Sequence, residues 1–176
     1  MTDAGRQARQ RELLTRWVRD HGQAVRGFLQ ALVRDRDVAE DLLQEVFCRA
    51  WQARDRYSDA GKERSYLLRI ADRLVCDRAR RPRREQVVGV AEWQRIEPAD
   101  CEGPPWEGLA WAETCRQLTA ALDALSEPQR RTLLLRFYGN LEFSEIAATL
   151  DCPLNTVLSH HRRGLLALRQ MLQEKS

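Results

Sequence analysis

Apolar residues recur along this chain at three- and four-residue intervals, in blocks separated by two stretches where the pattern lapses. Val25, Phe28, Leu29, Leu32 and Val33 share one face of a helix. After Arg34–Asp37 a second set follows, Val38, Leu42, Val46 and Ala50, and then Trp51, so 23–53 reads as two helices. Upstream, residues 1–22 read as a basic helix with Leu13, Leu14, Trp17 and Val18 on one side. Residues 55–65 are rich in Asp, Ser and Gly, which suits a loop. A further helix is predicted from about Tyr66 to Arg80, with Leu67, Ile70, Leu74 and Val75 inward, and Pro82 stops it.

From Pro82 to about Pro105 the periodicity is gone, and Pro98, Gly103, Pro104 and Pro105 interrupt a polar run. Trp93, Trp106 and Trp111 are unusual there and suggest docking of parts of the stretch. Residues 107–172 are helical again in four segments. The first ends at Leu125, and Ser126-Glu-Pro-Gln129 then forms a capping box. Pro128 is tolerated in that first turn, where amides lack helical partners. This helix closes at Gly139-Asn140, a short one covers Ser144–Leu150, Asp151-Cys152-Pro153 makes a corner, and a last helix runs from Leu154 to about Gln173. The fold class is therefore all-α: two small helical domains, 1–84 and 111–176, joined by a linker over 85–110, with a helix-turn-helix in the second.

Charge sharpens this division. The net charge is +3 over 176 residues, but residues 1–84 carry +7, residues 85–115 carry −6 and residues 116–176 carry +2. Two basic halves around an acidic connector fit a protein whose halves meet nucleic acid and whose connector does not. The five cysteines are scattered, with no CxxC, so neither a disulfide framework nor a zinc site is indicated. No phosphate loop, nucleophile triad, metal spacing or dinucleotide fingerprint occurs, so no catalytic, cofactor-binding or metal-binding residue is expected, and the chain is not expected to be an enzyme. No apolar run reaches membrane-spanning length, and no membrane insertion and a cytoplasmic location are expected.

The last two helices carry a mechanism. In a helix-turn-helix the second helix enters the DNA major groove by its N-terminal half. Leu154, Val157, His161, Leu165, Leu168 and Leu172 form the predicted inner stripe, facing Ile146, Ala147 and Leu150. Asn155, Thr156, Leu158, Ser159, Arg162 and Arg163 then point outward. Arginine pairs bidentately with guanine or phosphate, and Asn or Ser reaches a base edge or backbone oxygen. On this face alone, a solvated surface with two arginines fits as well. A stand-alone helix-turn-helix regulator or a small helical adaptor also stays open.

Residues 126–169, SEPQRRTLLLRFYGNLEFSEIAATLDCPLNTVLSHHRRGLLALR, resemble the C-terminal DNA-binding domain of RNA polymerase sigma factors of the extracytoplasmic-function (ECF) class, in the sigma-70 family. Residues 38–51, VAEDLLQEVFCRAW, resemble that family's polymerase-binding helix, and residues 65–81, SYLLRIADRLVCDRARR, the helix facing the opened promoter strand. Matches in both halves, in the family's order, are far more specific than either alone.

The resemblance implies a protein that binds core RNA polymerase and promoter DNA and directs promoter recognition, DNA melting and initiation. An anti-sigma factor is a further partner common in the family. Glu40, Asp41, Gln44 and Glu45 match the face that meets the polymerase clamp, with Trp51 as an aromatic anchor. Tyr57 and Tyr66 match the place where an unstacked base of the minus-ten element is captured, with Arg64, Arg69, Arg73, Arg78, Arg80 and Arg81 along the phosphates. The final helix matches the minus-thirty-five reader, through Asn155, Thr156, Leu158, Ser159, Arg162 and Arg163. Departures stand at Asp72 and Arg73, where relatives often carry a basic or small residue and Asn. Others stand at Asn155, Leu158 and His160, where Gly and basic residues are common. Leu158 is suited instead to a thymine methyl. The acidic connector is expected to occupy a basic channel of the polymerase.

Overall fold

The computed structural model describes residues 3–54, 57, 61–80 and 105–173, with side-chain surroundings from 11 onward and not for 105–112. Arg81, Pro82 and most of the acidic connector, with Trp93, lie outside these residues. The described residues form seven helices: α1 (Asp3–Val33), α2 (Arg36–Gln52), α3 (Glu63–Arg80), α4 (Pro105–Ala124), α5 (Glu127–Phe137), α6 (Phe143–Leu150) and α7 (Leu154–Gln173). The fold is all-helical, as the periodicity predicts.

Three boundaries differ from the sequence reading. The two N-terminal patterns form one helix, α1, because Gly22 continues it and Trp17, Val25, Phe28 and Leu29 stay on one buried face. Helix α3 begins earlier, at Glu63, where the Glu63 carboxylate accepts the Gly61 amide at 3.1 Å. Helix α4 begins at Pro105, as proline favours a first turn.

Helices α1, α2 and α3 pack on one another around Phe28, Leu29, Val46, Leu67 and Leu68, all fully buried. Arg34 takes a left-handed φ of 58° and turns the chain into α2, whose N-cap Asp35 accepts the Val38 amide at 3.0 Å. Helices α5, α6 and α7 pack around Leu133, Leu135, Leu141, Ile146 and Val157. The Gln129 side chain accepts the Ser126 amide at 3.3 Å, the predicted reach-back at the start of α5.

The two groups of helices share one apolar cluster, which runs from Trp17 and Leu74 to Leu134 and Ile146, with α3 packed against α6. Two ion pairs cross the same boundary. Arg131 of α5 clasps Asp72 of α3 through both carboxylate oxygens, its Nε donating at 2.6 Å. Arg34, at the end of α1, pairs with Asp123 of α4 and donates to the Thr119 carbonyl at 3.0 Å. Asp72 is 4% exposed in its side chain. Burial raises its carboxyl above the ordinary aspartate range by more than the Arg131 hydrogen bonds bring it back. At Arg131 burial pulls the other way, but the bonds to Asp72 prevail and hold the guanidinium charged. Loss of either partner would leave the other's charge buried and unpaired, which is costly.

Candidate nucleic-acid and polymerase interface

The helix-turn-helix is built from local chemistry. The Glu145 side chain accepts the Glu142 amide at 2.9 Å and starts α6. Asp151 ends it in a left-handed conformation (φ 51°, ψ 51°), its amide donating to Ala147. Cys152 donates to the same carbonyl at 3.1 Å, and the Pro153 carbonyl accepts the Thr156 and Val157 amides, which launches α7. Helix α7 lies close on α5 at Gly164, where an added Cβ would stand 3.0 Å from Leu133.

That close approach corrects the predicted stripe. Val157 and Gly164 are the buried residues of α7, with His161 and Leu168 half-buried, whereas Leu154 and Leu165 are exposed. A helix seated at a glycine turns its larger residues to the flanks, so leucine periodicity alone misplaced the contact line. His161 is packed as expected, edge-on to Phe143 (4.9 Å) and stacked on Phe137 (6.4 Å). Burial, aided by Arg136, lowers its pKa below the usual histidine value.

On the outer face, four of the six residues expected to point outward are exposed. Leu158, Ser159, Arg162, Arg163 and Leu166 line a shallow groove, and Asn155, Leu158, Arg162 and Arg163 are exposed; Thr156 and Ser159 are half-buried. The structure adds Leu166 to this surface, at 51% exposed. Its spacing from Leu158 and Arg162 was visible in the sequence, but it was not assigned to this face.

In the N-terminal helices, Asp41, Gln44 and Glu45 are exposed on α2 and Glu40 is half-buried. Two of the four already have cationic neighbours: Glu40 pairs with Arg26 at 2.8 Å and Glu45 with Arg49 at 2.7 Å. Asp41 and Gln44 therefore dominate the open part of this face. Trp51 is half-buried, with the Arg54 guanidinium 4.1 Å over its ring.

Tyr57 and Tyr66 are brought together, at 4.8 Å between ring centres, and Trp17 of α1 completes an aromatic cluster at 5.2 Å and 6.1 Å. The rings meet tilted and edge-on, and burial raises the Tyr66 hydroxyl pKa. Trp17 was the missed member, because its contribution comes from a helix forty residues away in sequence. Arg73, Arg78 and Arg80 are exposed along α3, and Arg64 and Arg69 are half-buried. Asp72 turns inward to Arg131, so its departure from the usual residue belongs to the boundary between the halves and not to the strand-facing surface.

Comparison with known proteins follows the same division. Residues 17–85 match the family model Sigma-70 region 2, and residues 115–168 match Sigma-70, region 4. The ECF RNA polymerase sigma factor SigX of Bacillus subtilis (strain 168) is 30% identical over 148 residues, covering 83% of this chain and 76% of the relative. The chain belongs to the ECF RNA polymerase sigma factors. SigK of Mycobacterium tuberculosis (strain ATCC 25618 / H37Rv) is 31% identical over 160 residues, covering 87% and 82% of the two chains. Among solved structures, the sigma factor RpoE in complex with the anti-sigma factor NepR, from Bartonella quintana, superposes with a TM-score of 0.69 at 25% identity, over 85% of this chain and 90% of that one. CnrH in complex with the cytosolic domain of CnrY shares the fold, with a TM-score of 0.70 at 21% identity over 94% and 91% of the chains. This sigma factor thus directs promoter recognition and transcription initiation by RNA polymerase. No described helix is long and apolar enough to cross a membrane.

Proposed function

We propose that this sigma factor divides its work between two faces of α2 and α3 and one face of α7. Asp41, Gln44 and Glu45, with Glu40 and Trp51 at the margin, meet the polymerase clamp. Arg64, Arg69, Arg73, Arg78, Arg80 and Arg81 follow the opened minus-ten strand, and the Tyr57–Tyr66 pair forms the aromatic wall against which a flipped base rests. Asn155, Thr156, Leu158, Ser159, Arg162 and Arg163 read the minus-thirty-five element. The domains run over 1–84 and 111–176, with the acidic 85–110 stretch between them. The protein acts in the cytoplasm, without catalysis of its own, and an anti-sigma factor restrains it, as the partners of the solved relatives suggest.

One observation carries this reading: the groove of α7, where Arg162 and Arg163 line an exposed helix face together with Leu158. Run-off transcription from a genomic library with bacterial core polymerase tests it. Wild-type protein adds start sites that share two short upstream elements. Arg162→Ala with Arg163→Ala weakens minus-thirty-five recognition and spares polymerase binding, while Asp41→Ala with Gln44→Ala does the reverse. Equal loss of both activities in both variants removes the assignment.

A further inference from the structure

Helix α1 reaches the start of α3 through two consecutive residues, Arg16 and Trp17. Trp17 is 1% exposed and packs against both tyrosines, 5.2 Å from the Tyr57 ring and 6.1 Å from the Tyr66 ring. Tyr57 precedes α3 and Tyr66 lies in its first turn, so the indole spans the entry to that helix. Beside it, the Arg16 guanidinium donates to one Glu63 carboxylate oxygen at 3.3 Å, and the other oxygen accepts the Gly61 amide at 3.1 Å. Glu63 is thus engaged through both oxygens, and its side chain is only 17% exposed.

Gly61 takes a φ of 98°, a conformation that glycine adopts readily and other residues do not. Nothing lies within 4 Å of where its Cβ would stand, so the bend rests on backbone contacts, of which the Glu63 carboxylate is one. At Trp17 the indole N–H meets no acceptor among the described residues, a cost in stability that a purely apolar ring would not carry. What Trp17 offers is ring area that touches both tyrosines. Ordering a segment at the moment of binding costs conformational entropy, and a segment already held in place does not incur that cost again.

We propose that Arg16, Trp17 and Glu63 are positioning residues of the minus-ten site: they hold Tyr57, Gly61 and Tyr66 in the arrangement that receives the flipped base. Promoter opening then depends on α1, although α1 carries none of the residues assigned to the strand. The proposal rests on the reading of Tyr57 and Tyr66 as the aromatic wall. Loosening these contacts lowers the fraction of molecules ready for capture, and a ready fraction of about a tenth slows opening about tenfold. Asp41 and Gln44 of α2 and Arg162 and Arg163 of α7 take no part in these contacts, so binding to polymerase and to the minus-thirty-five element is unaffected.

Holoenzyme assembled from the full chain and core polymerase, on the promoter recovered most strongly by run-off transcription, tests this. Opening is followed by the permanganate reactivity of unpaired thymines, beside the affinity for polymerase and for closed promoter DNA. Glu63→Ala removes both bonds and is expected to slow opening about tenfold with both affinities at the wild-type level. Glu63→Gln keeps an acceptor for each N–H and is expected to recover most of that rate. Trp17→Leu should slow opening by a similar factor, and Trp17→Phe, still aromatic but without the unpaired N–H, should restore it. Opening at the wild-type rate in Glu63→Ala overturns the proposal, as does loss of polymerase affinity in step with opening in both slow variants. A Trp17→Phe chain as slow as Trp17→Leu would assign the role to the N–H and overturns it too. If Trp17→Leu alone loses its helical signal, the two Glu63 variants decide. Tyr66→Ala separates the two ideas. If it slows opening while Glu63→Ala does not, the positioning role fails and the aromatic wall stands; if it opens at the wild-type rate, the wall falls and the proposal with it.

Discussion

The two halves of this molecule solve the burial problem differently. In α1–α3, Trp17, Phe28, Leu67 and Leu68 are enclosed, and Val18 is the one large apolar side chain left exposed among the described residues. In α4–α7, Phe137, Tyr138, Leu154, Leu158, Leu165 and Leu166 all face outward. Shorter helices enclose less, and the open face of α7 is the one proposed to meet DNA. The N-terminal half is thus held mainly by its own core, whereas the C-terminal half gains from whatever covers it: α3, DNA or a protein partner.

The largest expected break in this comparison is in the enclosed core. Phe28→Ala should cost about 3–5 kcal/mol, against about 2–5 kcal/mol for Leu133→Ala in the other half, measured by urea unfolding. Next comes the buried pair. Arg131→Leu leaves the Asp72 carboxylate without its partner and should cost about 3–5 kcal/mol, and adding Asp72→Leu should recover most of that loss. Recovery that fails would mean the pair is held by more than mutual charge.

A pH series touches both halves, through His21 of α1 and His161 of α7, each with its pKa lowered by burial, and His161 isolates the second. Because burial depresses the His161 pKa, the unfolded chain takes up a proton before the folded one does. The stability linked to His161 is therefore complete above the ordinary histidine value of about 6.5 and falls as pH drops below it. Thermal melts at decreasing pH should show this loss in wild type and a reduced loss in His161→Phe. Smaller again is the effect of Leu158→Arg. It should leave stability within about 0.5 kcal/mol and steepen the salt dependence of minus-thirty-five binding by about one phosphate contact, a slope change of about 0.9.

Much of this was legible in the sequence because it is local. Helix spacing, the Ser126–Gln129 cap and the Asp151-Cys152-Pro153 corner each follow from neighbours within four residues. The outer face of α7 followed from the same periodicity. What escaped was set by tertiary contact. Gly164 seats α7 on α5 so that Leu165 leaves the predicted stripe, and Leu154 is exposed as the first residue of the helix. Trp17 joins Tyr57 and Tyr66 only when α1 packs over α3. Asp72 looked like an odd residue on a nucleic-acid helix until its partner was found 59 positions away.

That separation bears on modular exchange. Regions 2 and 4 look like interchangeable parts, each with its own surface, and a chimera between relatives would be cut in the connector. The Asp72–Arg131 clasp makes the parts mutually dependent in this chain. A donor N-terminal half with lysine at the place of Asp72 would confront Arg131 with a second buried cation, and such a graft would need a matching change in α5. Inheritance of either half would then carry a constraint on the other, enforced by two side chains that meet across the boundary between the halves.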